Sequence, residues 1–78
     1  KGARRMNKHI ELVKKWLADP TSVTQQELED NRDAAYATAE AYYATAFKAA
    51  ADYAVYGADD AAKHWVKRYD KIMKEQGE

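Results

Sequence analysis

Pro20 is the only proline, and Gly57 is the only glycine between Gly2 and Gly77, so the interior of the chain offers two places where a helix readily stops. No strand pattern competes, because the β-branched residues never alternate with polar ones as a half-buried strand requires. Two breaks leave three helical segments, and the sequence predicts an all-α chain with helices at about 6–18, 25–56 and 60–75.

Each predicted segment has its own signals. In the first, Ile10, Val13 and Leu17 recur at helical spacing, and Leu12 and Trp16 widen the apolar face. Asp19 ends it, since a residue before proline avoids helical backbone angles. Residues 1–5 read as a flexible leader or remnant ahead of Met6. The second opens on Thr24-Gln25-Gln26-Glu27, the pattern of a capping box, and Glu29, Asp30 and Asp33 add negative charge near the positive helix end. Nothing interrupts it before Gly57, a natural C-terminal cap, so it is expected to run unbroken for about 48 Å. Asp59 or Asp60 is expected to cap the third, whose stripe is Ala62, Trp65, Val66, Tyr69, Ile72 and Met73. The two shorter helices should fold back antiparallel, each on its own half of the long one. That arrangement would bring Arg4, Arg5 and Lys8 toward Lys71 and Lys74.

The long segment is also unusual in composition. From Ala35 it falls into sevens, AYATAEA, YYATAFK, AAADYAV and YGADDAA, with Thr38, Thr45, Asp52 and Asp59 forming one thin polar stripe. Apolar residues cover nearly two faces, more than a helix needs to lie on a single layer. One reading is an alanine-rich helix buried between two neighbours. The other is an Ala/Tyr surface for self-association or for a partner, with Tyr36, Tyr42, Tyr43, Phe47, Tyr53 and Tyr56 as its candidate interface residues.

Seventy-eight residues make one domain, residues 1–78, and a chain of this size buries only about 60% of its unfolded surface. The chain has no cysteine, which removes disulfides, thiolate metal sites and thiol nucleophiles together. No apolar run is long enough for a membrane span. Charge cancels overall but not locally: residues 1–18 carry +5, residues 19–60 carry −7 and residues 61–78 carry +2. A general nucleic-acid binder is normally basic throughout, so the balance argues against that class while leaving room for a local patch.

Lys63, Lys67, Lys71 and Lys74 line one face of the third segment with Arg68 beside them. Together with Arg4, Arg5 and Lys8 they are candidate contacts for an acidic protein or for phosphates. The alternative is a solvated face with Asp59–Lys63 and Asp70–Lys74 as local pairs. His9 and His64 lack metal-ligand spacing and read as helix-surface residues. Three scattered glycines form no phosphate loop or dinucleotide fingerprint, and three short helices give little cleft for a perturbed acid or base. The residues therefore point to a binder with no catalytic site, metal or cofactor.

The opening Met6-Asn7-Lys8-His9-Ile10-Glu11-Leu12-Val13-Lys14-Lys15-Trp16-Leu17-Ala18-Asp19-Pro20 resembles a family of small Ala/Tyr-rich tailed-bacteriophage proteins. The likeness continues through Ser22-Val23-Thr24-Gln25-Gln26-Glu27-Leu28, the Ala/Tyr-rich stretch and the closing Trp65-Val66-Lys67-Arg68-Tyr69. The resemblance implies a setting and no mechanism: an accessory protein in the host cytoplasm that binds a host protein and modulates or inhibits it. A homodimer, a nucleic-acid binder and a purely structural helical oligomer are the other readings the sequence leaves open.

Overall fold

The computed structural model describes residues 7–38 and 44–75. Among these residues the chain is helical, with α1 at Lys8–Ala18, α2 at Gln25–Tyr36, α3 at Ala44–Val55 and α4 at Asp59–Glu75, and with a single 3₁₀ turn at Pro20–Ser22 after α1. The proposed start at Met6 and the leader lie outside the described residues.

Local chemistry explains most of the helix ends. Asn7 caps α1, its Oδ1 accepting from the amides of His9 (2.9 Å) and Ile10 (3.1 Å). Asp19 leaves the helix with extended backbone and turns its carboxylate onto the Thr21 amide and hydroxyl. At the start of α2, Thr24 N donates to Glu27 Oε1 (2.8 Å) and Glu27 N donates to Thr24 Oγ1 (3.0 Å), closing the capping box. Gly57, at φ +74°, ends α3: its amide reaches Ala54 O and the Ala58 amide reaches Tyr53 O, both at 3.0 Å. These two bonds make a Schellman cap, which needs the left-handed conformation glycine takes without penalty. Ala58, not an aspartate, precedes α4; Asp59 and Asp60 sit in its first turn, where their charge faces the positive helix end.

The expected helix over 25–56 is two helices. The α2 ladder tightens at Tyr36, with Thr38 N reaching Ala35 O (3.2 Å) and the Thr38 hydroxyl donating to Ala34 O (3.1 Å). A continuous rod of about 48 Å would also overrun the molecule's longest dimension of 33 Å. The physical reason is burial. Alanine and aromatic residues occupy two faces of this segment, and folding its halves together lets one core take both. Ala35 and Leu28 of α2 then share a core with Ala44, Ala46, Phe47, Ala50, Ala51 and Ala54 of α3. The start of α2 lies against the end of α3, where Gln25 Nε2 donates to Val55 O (2.9 Å), so the pair forms a helical hairpin.

Helix α3 packs on α1, α2 and α4, and α1 likewise touches the other three, while α2 and α4 do not meet. The acidic α2 and the lysine-bearing α4 thus occupy separate flanks with α1 and α3 between them. The alanine-rich helix buried among its neighbours describes α3, whose polar positions Thr45 and Asp52 mark the strip left toward solvent. Ile10, Val13 and Trp16 of α1 and Ala62, Val66 and Tyr69 of α4 complete the core. The radius of gyration, 11.9 Å, is near the roughly 11.5 Å of a compact chain this long.

Candidate functional site

The core has a polar element that the sequence does not suggest. His9 is not a surface histidine: only 7% of it is exposed. Asn31, from α2, donates through Nδ2 to His9 O (3.3 Å), which turns its amide oxygen toward the imidazole at 3.1 Å. Nδ1 of His9 therefore carries the hydrogen and donates to Asn31 Oδ1. The ring stacks on Phe47 at 5.5 Å, and Phe47 meets Tyr69 edge-on at 6.3 Å. One chain of rings and amides thereby ties α2, α1, α3 and α4 together. No buried side-chain nitrogen or oxygen lacks a partner among the described residues.

This packing removes Phe47 from the candidate interface, since at 1% exposure it is one of the most deeply buried large side chains. Its place in the heptad suggested a surface, but the hairpin fold turns that face inward. Tyr42 and Tyr43 lie outside the described residues. The other three candidates stand in solvent: Tyr36 is 54% exposed, Tyr53 41% and Tyr56 73%.

Tyr36 and Tyr56 belong to a mixed patch across the α2–α3 seam. The Tyr36 hydroxyl donates to Asp52 Oδ2 (3.4 Å), and Lys48 Nζ lies 6.0 Å from the centre of its ring. Partial burial, then the charge and hydrogen bond of Asp52, raise the Tyr36 phenol above its ordinary value, against the opposing charges of Arg32 and Lys48. Arg32 donates to Asp33 (3.1 Å) and also senses Tyr56 and Asp52 electrostatically; its guanidinium is raised chiefly by the Asp33 hydrogen bond. Tyr53 follows Asp52 by one position, about 100° around the helix.

The basic residues divide between flanks. Lys63, Lys67, Arg68, Lys71 and Lys74 are all exposed on α4, and none has a carboxylate within 4.0 Å among the described residues. Asp70 pairs with Lys14 of α1 at 3.3 Å, not with Lys74, because it lies on the side of α4 that faces α1. Lys8 does not join this stripe: it lines a shallow groove beside Glu27, Asp30 and Asn31, on the acidic flank. Arg4 and Arg5 lie outside the described residues.

A second groove, of about 360 Å³, runs between α3 and α4. Ala46, Trp65 and Ile72 give it an apolar floor, and Arg68, Lys71 and Glu75 stand at its edge. Trp65 is half-buried there and meets the exposed His64 ring edge-on at 5.3 Å. The sequence places Trp65 and Ile72 on one stripe and Arg68 and Lys71 on another, but not the groove between them, which needs α3 as its second wall.

No group of histidine and carboxylate side chains among the described residues is placed to hold a metal ion. Nor is any described helix long and apolar enough to cross a membrane. No family model, curated protein or solved structure matches the chain.

Proposed function

We propose that this chain is a small non-catalytic binding protein that occupies the surface of another protein with the aromatic face of its α2–α3 hairpin. The observation that carries the reading is the division among its large rings. Phe47, Trp16 and Tyr69 fill the core, while Tyr36, Tyr53 and Tyr56 stand in solvent on the hairpin. A large side chain with an apolar body and a polar tip loses little on burial against a partner, and tyrosine is enriched where binding energy concentrates. Arg32, Lys48 and Asp52 around the rings supply the polar rim of such a contact. In the setting implied by the sequence resemblance, the chain is a bacteriophage accessory protein, and its partner is a host protein in the host cytoplasm.

The test compares the wild-type chain with Tyr36→Lys/Tyr53→Lys/Tyr56→Lys in capture from host lysate and in solution mass. The proposal expects capture to be lost while far-UV circular dichroism stays unchanged, since all three side chains are already exposed. Equal capture by both chains would sink it. If the same substitutions dissociate a homodimer, the face serves self-association.

One observation favours a second reading. The cations of α4, exposed and without an ion pair among the described residues, also suit a polyphosphate backbone. A nucleic-acid binder would show affinity that falls steeply with salt and is lost in Lys67→Glu/Lys71→Glu. The aromatic-face variant would keep that affinity.

A further inference from the structure

We infer that the α3–α4 groove is a docking site for the outer face of α2 from a second copy of this chain. The inference rests on residues other than the three exposed tyrosines and shares with their surroundings only the Arg32–Asp33 pair. The groove is apolar at its floor, and at its edge Arg68 and Lys71, one turn apart and without an ion pair among the described residues, outnumber the single carboxylate of Glu75. Its occupant must therefore offer small apolar groups with carboxylates one turn apart.

The outer face of α2 offers that chemistry. Leu28 and Ala35 point to the core, so the opposite side of the helix presents Gln26, Asp30, Asp33 and Ala37, all exposed. Asp30 and Asp33 repeat the three-residue spacing of Arg68 and Lys71. Both carboxylates are held in place by neighbours: Gln26 Nε2 donates to Asp30 (2.9 Å) and Arg32 Nε to Asp33 (3.1 Å). Exposed Ala34 and Ala37 keep the helix surface low enough for Trp65 and Ile72 to approach. A nucleic acid would satisfy the cations but leave the alanine and isoleucine floor without a counterpart.

The geometry also sets the form of the assembly. Because α2 and α4 sit on separate flanks of the same molecule, one contact leaves an acidic face free at one end and a groove free at the other. Contacts of this head-to-tail kind close into a ring or run on as an open chain of copies. The contact is small and largely electrostatic, so it forms at chain concentrations on the order of 0.1–1 mM.

The experiment is light scattering of the full chain against concentration, at about 20 mM and about 500 mM salt, where charge screening differs severalfold. The expected result at low salt is a mass that climbs with concentration from the single-chain 8.9 kDa and returns to one copy at high salt. R68E/K71E alone and D30K/D33K alone should each stay single, and an equimolar mixture of the two should assemble again. If a variant loses helicity, D30N/D33N and R68Q/K71Q replace the reversals, each expected to stay single. A mass of 8.9 kDa under every condition overturns the inference, as does association that survives R68E/K71E. A single chain that instead takes up duplex DNA or poly-glutamate at these cations overturns the assignment to a second copy.

Discussion

At the scale of single residues, the His9–Asn31 pair is the most exacting arrangement in the molecule, because one amide group serves both a backbone carbonyl and an imidazole. Removing either partner leaves a buried polar group without its bond. Asn31→Ala is expected to lower stability by about 1–3 kcal/mol. His9→Ala also loses the stack on Phe47 and should cost about 2–4 kcal/mol. Urea denaturation checks both, as a lower midpoint with an unchanged slope; a double variant costing the full sum of the two would show that the residues are not coupled. Tyr36 makes a different point. Its folded-state value lies above 10.0, so the folded chain holds the phenolic proton more tightly than the unfolded chain does. The stability this contributes is complete below about pH 10 and is lost as pH rises through the folded value. Burial is the first cause, and Asp52 follows through its charge and its hydrogen bond, so Asp52→Asn should move the Tyr36 transition downward. Absorbance titration of tyrosinate follows this directly, and identical curves for the two chains would rule out Asp52 as a cause.

At the scale of elements, what was legible was what the chain decides within four or five residues. Thr24 with Glu27, Asp19 with Pro20, and Gly57 each announce a helix end through a side chain or backbone property that acts on its immediate neighbours. The break after Tyr36 has no such marker. Alanine, tyrosine and threonine all continue a helix in isolation, and the chain turns there because two apolar faces cannot be buried by one straight rod. Thr38 is visible in the sequence as the first member of the polar stripe, but its hydroxyl bond to Ala34 O is one that threonine also makes inside a continuous helix, so it marks no end. The burial of His9 has no local marker either, because its partner Asn31 lies 22 positions away. The candidate aromatic face divides along this line too, with Tyr36, Tyr53 and Tyr56 outside and Phe47 within. Gly57 allows a clean check of the local rule, because a side chain there would meet nothing within 4 Å. Any loss is then due to the positive φ alone. Stability should fall in the order Gly, Asn, Ala, with Ala costing about 1–2 kcal/mol, as read by thermal melting. An alanine variant as stable as the wild type would remove the argument for a left-handed cap.

At the scale of the whole molecule, burial decides which aromatic residues hold the fold and which are available to a partner. Phe47→Ala is expected to cost about 3–5 kcal/mol, while Tyr56→Ala should stay within about 0.5 kcal/mol, both by chemical denaturation. Similar losses at the two positions would mean that the rings are not divided in this way. Charge has its own division: the acidic helix and the cationic helix lie apart, and α1 and α3 between them hold no wide polar layer. The alanines that line this centre have a consequence for heredity. Ala44, Ala50, Ala51 and Ala62 have no exposed surface, and a single base change in an alanine codon gives glycine, serine, threonine, proline, valine, aspartate or glutamate. Most of these are too large, too charged or too disruptive of a helix for a site already filled by one methyl group. Descendants of this gene are therefore expected to keep a ladder of small residues through α3 while the tyrosines and charges around it turn over. New binding partners can be acquired on the outside at little risk to the inside.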